Sequence, residues 1–182
     1  MNLLLEALIY ALPIFIANSS ATLTLSIPYY KDWSSPIDFG KSINGKRILG
    51  NGKTFRGLIF GTLCATLSGL TQYFFLNNFD YEYLDYNDKS LTFFLLSSFL
   101  LGFGALLGDL IKSFFKRRIG ITRGKPWPPF DQLDFLTGAI LLNLLIFVPD
   151  FKIILILYII TPLGHLLSNI IAYKLKLKNV WW

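Results

Sequence analysis

The chain has 182 residues, of which 53% are hydrophobic and only 15% charged, so its length suits one domain and its composition excludes an ordinary soluble one. Its 17 lysines and arginines outnumber its 11 acidic residues, and its single cysteine, Cys64, excludes an intramolecular disulfide and a cysteine-cluster zinc site. These features are typical of a polytopic membrane protein with basic surfaces.

Five uncharged runs predict an all-α fold with five transmembrane helices. The runs cover residues 7–30, 57–76, 90–108, 135–149 and 153–173. Four of them have 19 to 24 residues, close to the ~20 that cross the hydrocarbon core as a helix. The fourth has only 15, so to span it must begin near Gln132, which brings Asp134 to the membrane boundary. Pro149 then separates the last two helices as a tight hairpin.

The distribution of basic residues predicts the orientation of these helices. Fifteen of the 17 lysines and arginines follow the first, third and fifth runs, whereas the other side has the acidic segment 77–89 and the short turn 150–152. The positive-inside rule therefore places the N-terminus outside and the C-terminus inside. We expect one membrane domain over residues 1–182, structured cytoplasmic loops at about 31–56 and 109–131, and a basic tail at the membrane interface.

The first cytoplasmic loop holds five glycines and five basic residues within residues 38–57. Glycines permit positive φ and let backbone N–H groups approach a ligand, and such turns form anion-binding nests. A nucleoside triphosphate is the expected guest. Lys53 and Thr54 end a sequence similar to a Walker A loop, but Arg47 replaces its earlier glycine and no strand is predicted, so we reject that interpretation. A flexible loop resting on anionic headgroups is the alternative.

The second cytoplasmic loop starts as a polar extension of the third helix. Four of its residues, spaced i, i+3, i+4 and i+7, share one helix face: Asp109, Lys112, Ser113 and Lys116. Three prolines within residues 125–130 then break the helix. With Arg117, Arg118, Arg123 and Lys125, the segment carries six basic residues and is strongly basic.

Two aspartates open the fourth helix and complete an acidic cluster. Asp131 and Asp134 are spaced i, i+3; taken singly, Asp131 could be a helix N-cap and Asp134 the partner of a loop base. Neither explanation accounts for both meeting Asp109 at one membrane edge. A charge at bilayer depth costs roughly 2.5–3.5 kcal/mol, so such residues are usually functional. Three carboxylates beside bases predict a site for Mg²⁺ and phosphates.

Polar residues within two helices leave their roles open. His165, the only histidine, lies in the fifth run; a structural hydrogen bond is the favoured interpretation and a substrate contact the alternative. Asn18, Ser19, Ser20 and Thr22 lie in the first. Helix–helix packing is favoured for these small polar residues, and a wall for a lipid is the alternative.

Together the two loops resemble the archaeal CDP-archaeol synthase family, a small relative of the CDP-diacylglycerol synthases. The resemblance covers essentially the whole chain, through five helices, the loop DFG…NGKRILGNGKTFRG and the segment GDL–SFFKRR–PFDQLD. The bacterial signature GDL-x2-S-x2-KR followed by D-R-x-D is matched at Asp109, Ser113, Lys116, Arg117, Asp131 and Asp134. Gln132 replaces the signature arginine, and the intervening Lys-Asp and His-Gly-Gly elements are absent, which agrees with the shorter archaeal form.

The resemblance implies a reaction at the cell membrane, with the site facing the cytoplasm. CTP and an isoprenoid diether glycerol phosphate in the bilayer, unsaturated archaetidic acid, would give CDP-archaeol and pyrophosphate. No nucleic acid is implied as a partner, and a homodimer is one assembly that the sequence allows.

The resemblance also implies roles for individual residues. Asp131 and Asp134 would hold Mg²⁺, Asp109 would be a third ligand, and Lys116 would complete the catalytic set. The first loop would bind CTP through Asp38, Lys46, Arg47, Lys53, Thr54 and Arg56. The third helix would hold the lipid phosphate or the leaving group through Lys112, Ser113, Lys116 and Arg117.

Three other classes of protein fit the sequence less well. A CDP-alcohol phosphotransferase needs an Asp-Gly-x2-Ala-Arg core, which is absent. A transporter is expected to carry polar groups near mid-bilayer, often with broken helices, whereas these acids lie at one edge. A lipid-binding scaffold explains the basic loops but not the clustered aspartates.

Overall fold

The computed structural model describes residues 3–24, 33–78 and 90–174. These residues form five α-helices and a short β-hairpin. The helices are α1 (Leu3–Leu23), α2 (Phe55–Asn78), α3 (Leu91–Arg118), α4 (Phe130–Asn143) and α5 (Phe151–Lys174), and the strands are β1 (Ser42–Ile43) and β2 (Lys46–Arg47). The predicted all-helical architecture is confirmed. Most of the acidic segment 77–89, the basic tail and the His165 side chain lie outside the described residues.

Three helices of the described ranges are long and apolar enough to cross a membrane. These are α1, α2 and α3, and α5 contributes a shorter apolar stretch, Phe151–Gly164. Large apolar side chains on α2 and α5, among them Leu63, Phe74, Leu155 and Ile159, are exposed on the outside of the bundle. Such an apolar exterior suits contact with lipid chains and explains the high hydrophobic content.

Helix α4 is shorter than the other four and begins earlier than its uncharged run. It starts at Phe130, so Asp131 and Asp134 lie inside it, and it ends at Asn143. Its 14 residues rise only about 21 Å at 1.5 Å each, less than the ~30 Å of a hydrocarbon core. Backbone hydrogen bonds continue to Phe147, whose N–H donates to the Asn143 carbonyl at 2.9 Å. The connection to α5 is therefore longer than the tight hairpin expected at Pro149.

Helix α3 is the central element and packs against α1, α2 and α4. A polar network crosses the interior at the level of Asn143, whose side chain is fully buried. Ser97 Oγ donates to Asn143 Oδ1 at 3.0 Å, and Asn143 Nδ2 donates to the Tyr10 hydroxyl at 3.1 Å. Because each partner satisfies the other, this network joins α1, α3 and α4 without leaving these polar groups unpaired in an apolar core.

Glycines let the backbones of α3 and α4 touch. A Cβ added to Gly104 would lie 2.5 Å from the Gly138 carbonyl oxygen, and one added to Gly138 would lie 2.8 Å from the Gly108 Cα. A Cβ on Gly108 would lie 3.0 Å from the Asp134 carbonyl carbon. Small residues are the means by which membrane helices approach this closely. The contact fixes Asp134 directly beside the helix turn that carries Asp109.

We expect Gly108→Ala to destabilise the protein by roughly 1–3 kcal/mol, the usual cost of overpacking a tight contact. The matched control is Gly164→Ala in α5, where an added Cβ meets nothing within 4 Å and alanine is favoured over glycine in a helix by up to ~1 kcal/mol. Thermal unfolding in detergent measures both. A Gly108→Ala protein as stable as the Gly164→Ala protein would contradict the backbone contact.

Candidate active site

A buried carboxylate organises the first loop. The Asp38 side chain is fully buried and accepts hydrogen bonds from the N–H groups of Gly40 (3.1 Å), Leu49 (2.9 Å) and Gly50 (2.9 Å) and from Arg47 Nη2 (2.6 Å). Burial alone would raise the pKa of Asp38, but Arg47 and these N–H groups outweigh that effect and hold the pKa well below its usual range. An ionised Asp38 therefore lies at the centre of the loop.

The rest of the first loop is also ordered by backbone pairing. Strands β1 and β2 meet through a turn in which Asn44 and Gly45 have φ values of 51° and 72°, the Asn-Gly pattern favoured in two-residue hairpins. The Ile37 N–H donates to the Lys53 carbonyl at 2.9 Å. The flexible basic loop that the sequence left open as an alternative does not fit these contacts.

The carboxyl end of α3 holds this hairpin in place. Arg118 donates to the backbone carbonyls of Ile43 (2.9 Å), Lys46 (2.9 Å) and Arg47 (2.5 Å). Lys46 Nζ returns a hydrogen bond to the Arg118 carbonyl at 3.0 Å. The first loop is therefore seated on the second, and their basic residues face a common space.

The three predicted aspartates converge on one ammonium group. Lys112 Nζ lies 3.1 Å from Asp109 Oδ1, 3.2 Å from Asp131 Oδ1 and 2.9 Å from Asp134 Oδ2. The close contact of α3 and α4 supplies this geometry, because the aspartates come from both helices. The predicted meeting of the three carboxylates is thus present in the structure.

Two more lysines pair with the outer carboxylates of this cluster. Lys53 from the first loop forms an ion pair with Asp109. Lys116 Nζ lies 3.0 Å from both oxygens of Asp131 and donates to the Lys125 carbonyl at 2.6 Å. The Trp127 N–H also donates to Asp131 Oδ2 at 2.5 Å. The Asp131 side chain therefore ties the start of α4 to the proline-rich segment.

The donor set suits a hard divalent cation, although the carboxylates contact ammonium groups. The Asp134 side chain is only 6% exposed, and no residue of the described ranges donates a hydrogen bond to its buried Oδ1. Within the described ranges, no three acidic, histidine or cysteine side chains are arranged as the ligands of a metal ion. Yet a single cation, the Lys112 ammonium, already lies between three carboxylates. Oxygen ligands of this kind are those that Mg²⁺ prefers.

Cavities open on both sides of the acid–lysine cluster. One of about 230 Å³ lies between the two loops and is lined by basic residues and loop glycines: Gly50, Gly52, Lys53, Lys112, Ser113, Lys116, Arg117, Arg123 and Gly124, with Leu49. Another of about 140 Å³ lies toward α1 and α2, with Asn18, Thr22, Lys53 and Asp109 among its lining residues and Leu58, Leu106 and Leu110 on its apolar wall. Lys53 borders both cavities, so a polar ligand and an apolar one could meet beside Asp109.

Several predicted site residues lie together at this place. The cluster contains Asp109, Asp131, Asp134, Lys53, Lys112 and Lys116. Of the two cavities that flank the cluster, the larger one, of about 230 Å³, is lined by Ser113 and Arg117. A third, adjoining cavity of about 400 Å³ is lined by Lys46, Arg47 and Arg117.

Three other residues that were predicted to bind CTP make contacts that stabilise the protein itself. Asp38 is buried at the centre of the first loop. Thr54 caps α2, since its Oγ1 accepts a hydrogen bond from the Gly57 N–H at 3.2 Å, although Thr54 also borders the smaller cavity. Arg56 is only 1% exposed and lies in the protein interior. These residues support the loop that the ligand would contact.

Sequence reasoning missed two basic residues and undervalued two polar ones. Arg123 lines both basic cavities, and Arg118 holds the hairpin; the density of bases in the second loop was the only signal for either. Asn18 and Thr22 are exposed on the wall of the smaller cavity, so the packing interpretation does not hold for them.

The helical fold, its apolar exterior and the buried charged cluster between α3 and α4 are typical of a membrane-embedded enzyme. A solved structure of an intramembrane enzyme for archaeal membrane lipids biosynthesis is similar with a TM-score of 0.73 and 32% identity, covering 92% of this chain and 94% of that one.

Sequence comparisons identify the family. The family model described as CarS-like, CDP-archaeol synthase, matches residues 1–182. The CDP-archaeol synthase of Methanocaldococcus jannaschii is 43% identical over 182 residues, covering 100% of this chain and 98% of the relative. That of Pyrococcus horikoshii is 43% identical over 183 residues, covering 100% and 99%. The chain belongs to the CDP-archaeol synthase family, as the resemblance of its loops predicted.

The buried charge of Asp38 predicts a pH-dependent stability. Because its pKa is lowered on folding, its contribution is present above the unfolded value of about 4 and is lost as the pH falls below it. We expect Asp38→Asn to lower the unfolding temperature at pH 7 and the difference from wild type to narrow below about pH 4. A difference that stays constant down to pH 3 would contradict the ionised, hydrogen-bonded state of Asp38.

Proposed function

We propose that this protein transfers CMP from CTP to a membrane-embedded isoprenoid diether glycerol phosphate, forming CDP-archaeol and pyrophosphate. An oxygen of the lipid phosphate forms a bond to the α-phosphorus of CTP. The bond from that phosphorus to the oxygen bridging to the β-phosphate breaks, and pyrophosphate leaves with the electron pair. The lipid phosphate is already ionised near neutral pH, so the reaction needs no general base.

One observation carries this proposal: the acid–lysine cluster lies between a basic cavity and a partly apolar one. The larger cavity is lined by five lysine or arginine side chains and by backbone of glycine-rich turns, which suits a triphosphate. The smaller cavity carries three leucines beside Asn18 and Thr22, which suits the glycerol end of a lipid. The reacting phosphates would therefore meet at Asp109 and Lys53.

The residues supply alignment and neutralisation of charge. Lys53, Lys116, Arg117 and Arg123 would bind the phosphates of CTP and the departing pyrophosphate, where fixed positive charges stabilise the negative charge that develops. Arg118 and Asp38 act indirectly, because they hold the loop that carries Lys53.

Mg²⁺ is the proposed cofactor, and Asp109, Asp131 and Asp134 would hold it. When bound, Mg²⁺ supplies Lewis-acid polarisation of the triphosphate oxygens. The convergence of the three carboxylates supports this assignment, as does the buried Oδ1 of Asp134, which has no hydrogen-bond partner among the described residues.

Pyrophosphate release tests the reaction and the metal ligands together. Purified protein with CTP, Mg²⁺ and a geranylgeranyl diether phosphate should release pyrophosphate. Asp134→Asn should lower turnover about 100-fold or more, the scale seen when one charge-stabilising group is lost, while thermal unfolding shows a folded protein. The matched control is Asp150→Asn, since Asp150 is exposed in the α4–α5 connection.

The outcomes separate the two parts of the proposal. Full activity in Asp134→Asn would leave the reaction in place and remove Asp134 from the site. No release by wild type, with either the diether phosphate or a long-chain phosphatidic acid, would overturn the proposed reaction. Release with ATP or GTP as readily as with CTP would overturn the cytidine specificity.

We also propose that all five helices span the cell membrane, with the N-terminus outside and the site facing the cytoplasm. The basic loops around α3 and β1–β2 support this orientation. Helix α4 needs the connecting residues 144–150 to complete its crossing, and the backbone hydrogen bonds that continue to Phe147 make that connection compatible with lipid. A homodimer remains a prediction.

Cysteine labelling tests the orientation. In a Cys64→Ser background, Lys41→Cys lies in the first loop and Lys152→Cys at the start of α5, and both positions are exposed. A membrane-impermeant maleimide added to intact cells should label Lys152→Cys at once. It should label Lys41→Cys only after the membrane is permeabilised. The reverse pattern would invert the proposed topology.

A further inference from the structure

The acid–lysine cluster contains equal numbers of opposite charges. Three carboxylates face three ammonium groups at contact distance: Asp109, Asp131 and Asp134 against Lys53, Lys112 and Lys116. The formal charge of the cluster is therefore zero. A divalent cation approaching from water meets carboxylates whose charge is already neutralised, and it meets an ammonium at the place between them.

The same three lysines line the larger cavity, together with Arg117 and Arg123. Their flexible side chains thus lie between two kinds of anion, the carboxylates on one side and the content of the cavity on the other. A nucleoside triphosphate in that cavity would offer them a greater negative charge than one carboxylate each. Lysine is suited to such an exchange, because its ammonium is a point charge on a rotatable stem.

We propose that Lys53, Lys112 and Lys116 are exchangeable counter-ions that make divalent-metal binding conditional on nucleotide binding. Without nucleotide they neutralise the aspartates and exclude the metal. With a nucleoside triphosphate in the cavity they turn to its phosphates, and the carboxylates become free to hold the divalent cation. The inference rests on the proposed function, since it takes the triphosphate as the ligand of the cavity.

Lys112 has the largest part in this exchange. It is the one lysine of the described ranges that contacts all three aspartates, and among those residues it is the ion-pair partner of Asp134. Removing its charge would leave three carboxylates facing two lysines. Lys112→Met keeps much of the side-chain volume while it removes the charge, so this protein should bind a divalent cation without nucleotide.

Metal binding in the absence of lipid provides the test, because no turnover then occurs. Equilibrium dialysis with Mn²⁺ alone should show no saturable binding to wild type below about 1 mM and at least tenfold tighter binding to Lys112→Met. Thermal unfolding with Mg²⁺ should agree: Mg²⁺ alone shifts the unfolding temperature of Lys112→Met but not of wild type, whereas Mg²⁺ with CTP shifts that of wild type. Lys41→Met, at an exposed lysine of the first loop, should behave as wild type.

Two results would overturn the inference. One is saturable submillimolar Mn²⁺ binding to wild type without nucleotide, a measurement that does not depend on any variant folding. The other is unchanged Mn²⁺ binding in a folded Lys112→Met protein. Lys112→Arg, which keeps the charge, should still exclude the metal, and tight binding to it would also count against the exchange.

Failure of the proposed function gives a different pattern. If wild type excludes Mn²⁺ but CTP with Mg²⁺ produces no shift, the triphosphate is not the ligand of the cavity and the exchange falls with the proposed function. If CTP with Mg²⁺ shifts wild type and Mg²⁺ alone does so equally, the nucleotide site stands and only the exchange is wrong.

Discussion

The backbone contact between α3 and α4 is the constraint on which the site depends. Gly104, Gly108 and Gly138 allow the two helices to approach until a single added Cβ would collide with the opposite backbone. Asp109 directly follows Gly108, and Asp134 lies one helical turn before Gly138. Any residue with a side chain at the contact would separate the helices, and the carboxylates that now share one ammonium would part. The absence of side chains at these glycines therefore determines how closely the charged groups approach one another.

The first loop reaches this site through a second set of contacts that do not involve the ligand. Asp38 accepts hydrogen bonds from N–H groups of the loop, and Arg118 donates hydrogen bonds that hold the hairpin against the end of α3. Both side chains are charged, but each forms hydrogen bonds with backbone groups of the loop itself. These contacts place Lys53 in an ion pair with Asp109, which lies 56 residues later in the chain. Binding of a phosphate would then require little further ordering of the loop, which is the advantage of a preorganised site.

Much of this could be predicted from the sequence, and the rest depends on contacts that no local pattern encodes. The uncharged runs indicated five helices, and the i, i+3 spacing of Asp131 and Asp134 with the face of Asp109 indicated a carboxylate cluster. The internal roles of Asp38 and Arg118 could not be predicted, because their partners are backbone carbonyls and N–H groups rather than particular side chains. Nor could the buried network that joins Asn143 to Ser97 and Tyr10, since its three members lie on three separate helices.

Pairing also explains how a membrane chain can keep six charged side chains so close together. Each ion removed from water costs several kcal/mol even after relaxation, so three unpaired aspartates between α3 and α4 would oppose folding. Matching each of them with a lysine lowers that cost while keeping the charges where a polar substrate arrives. A carboxylate site made only for a metal would be most stable with the metal permanently bound. A site balanced by lysines is stable without a ligand, and its charges can be redistributed once phosphates enter the neighbouring cavity. The same pairing that permits burial thus agrees with the proposed change of partners during a reaction.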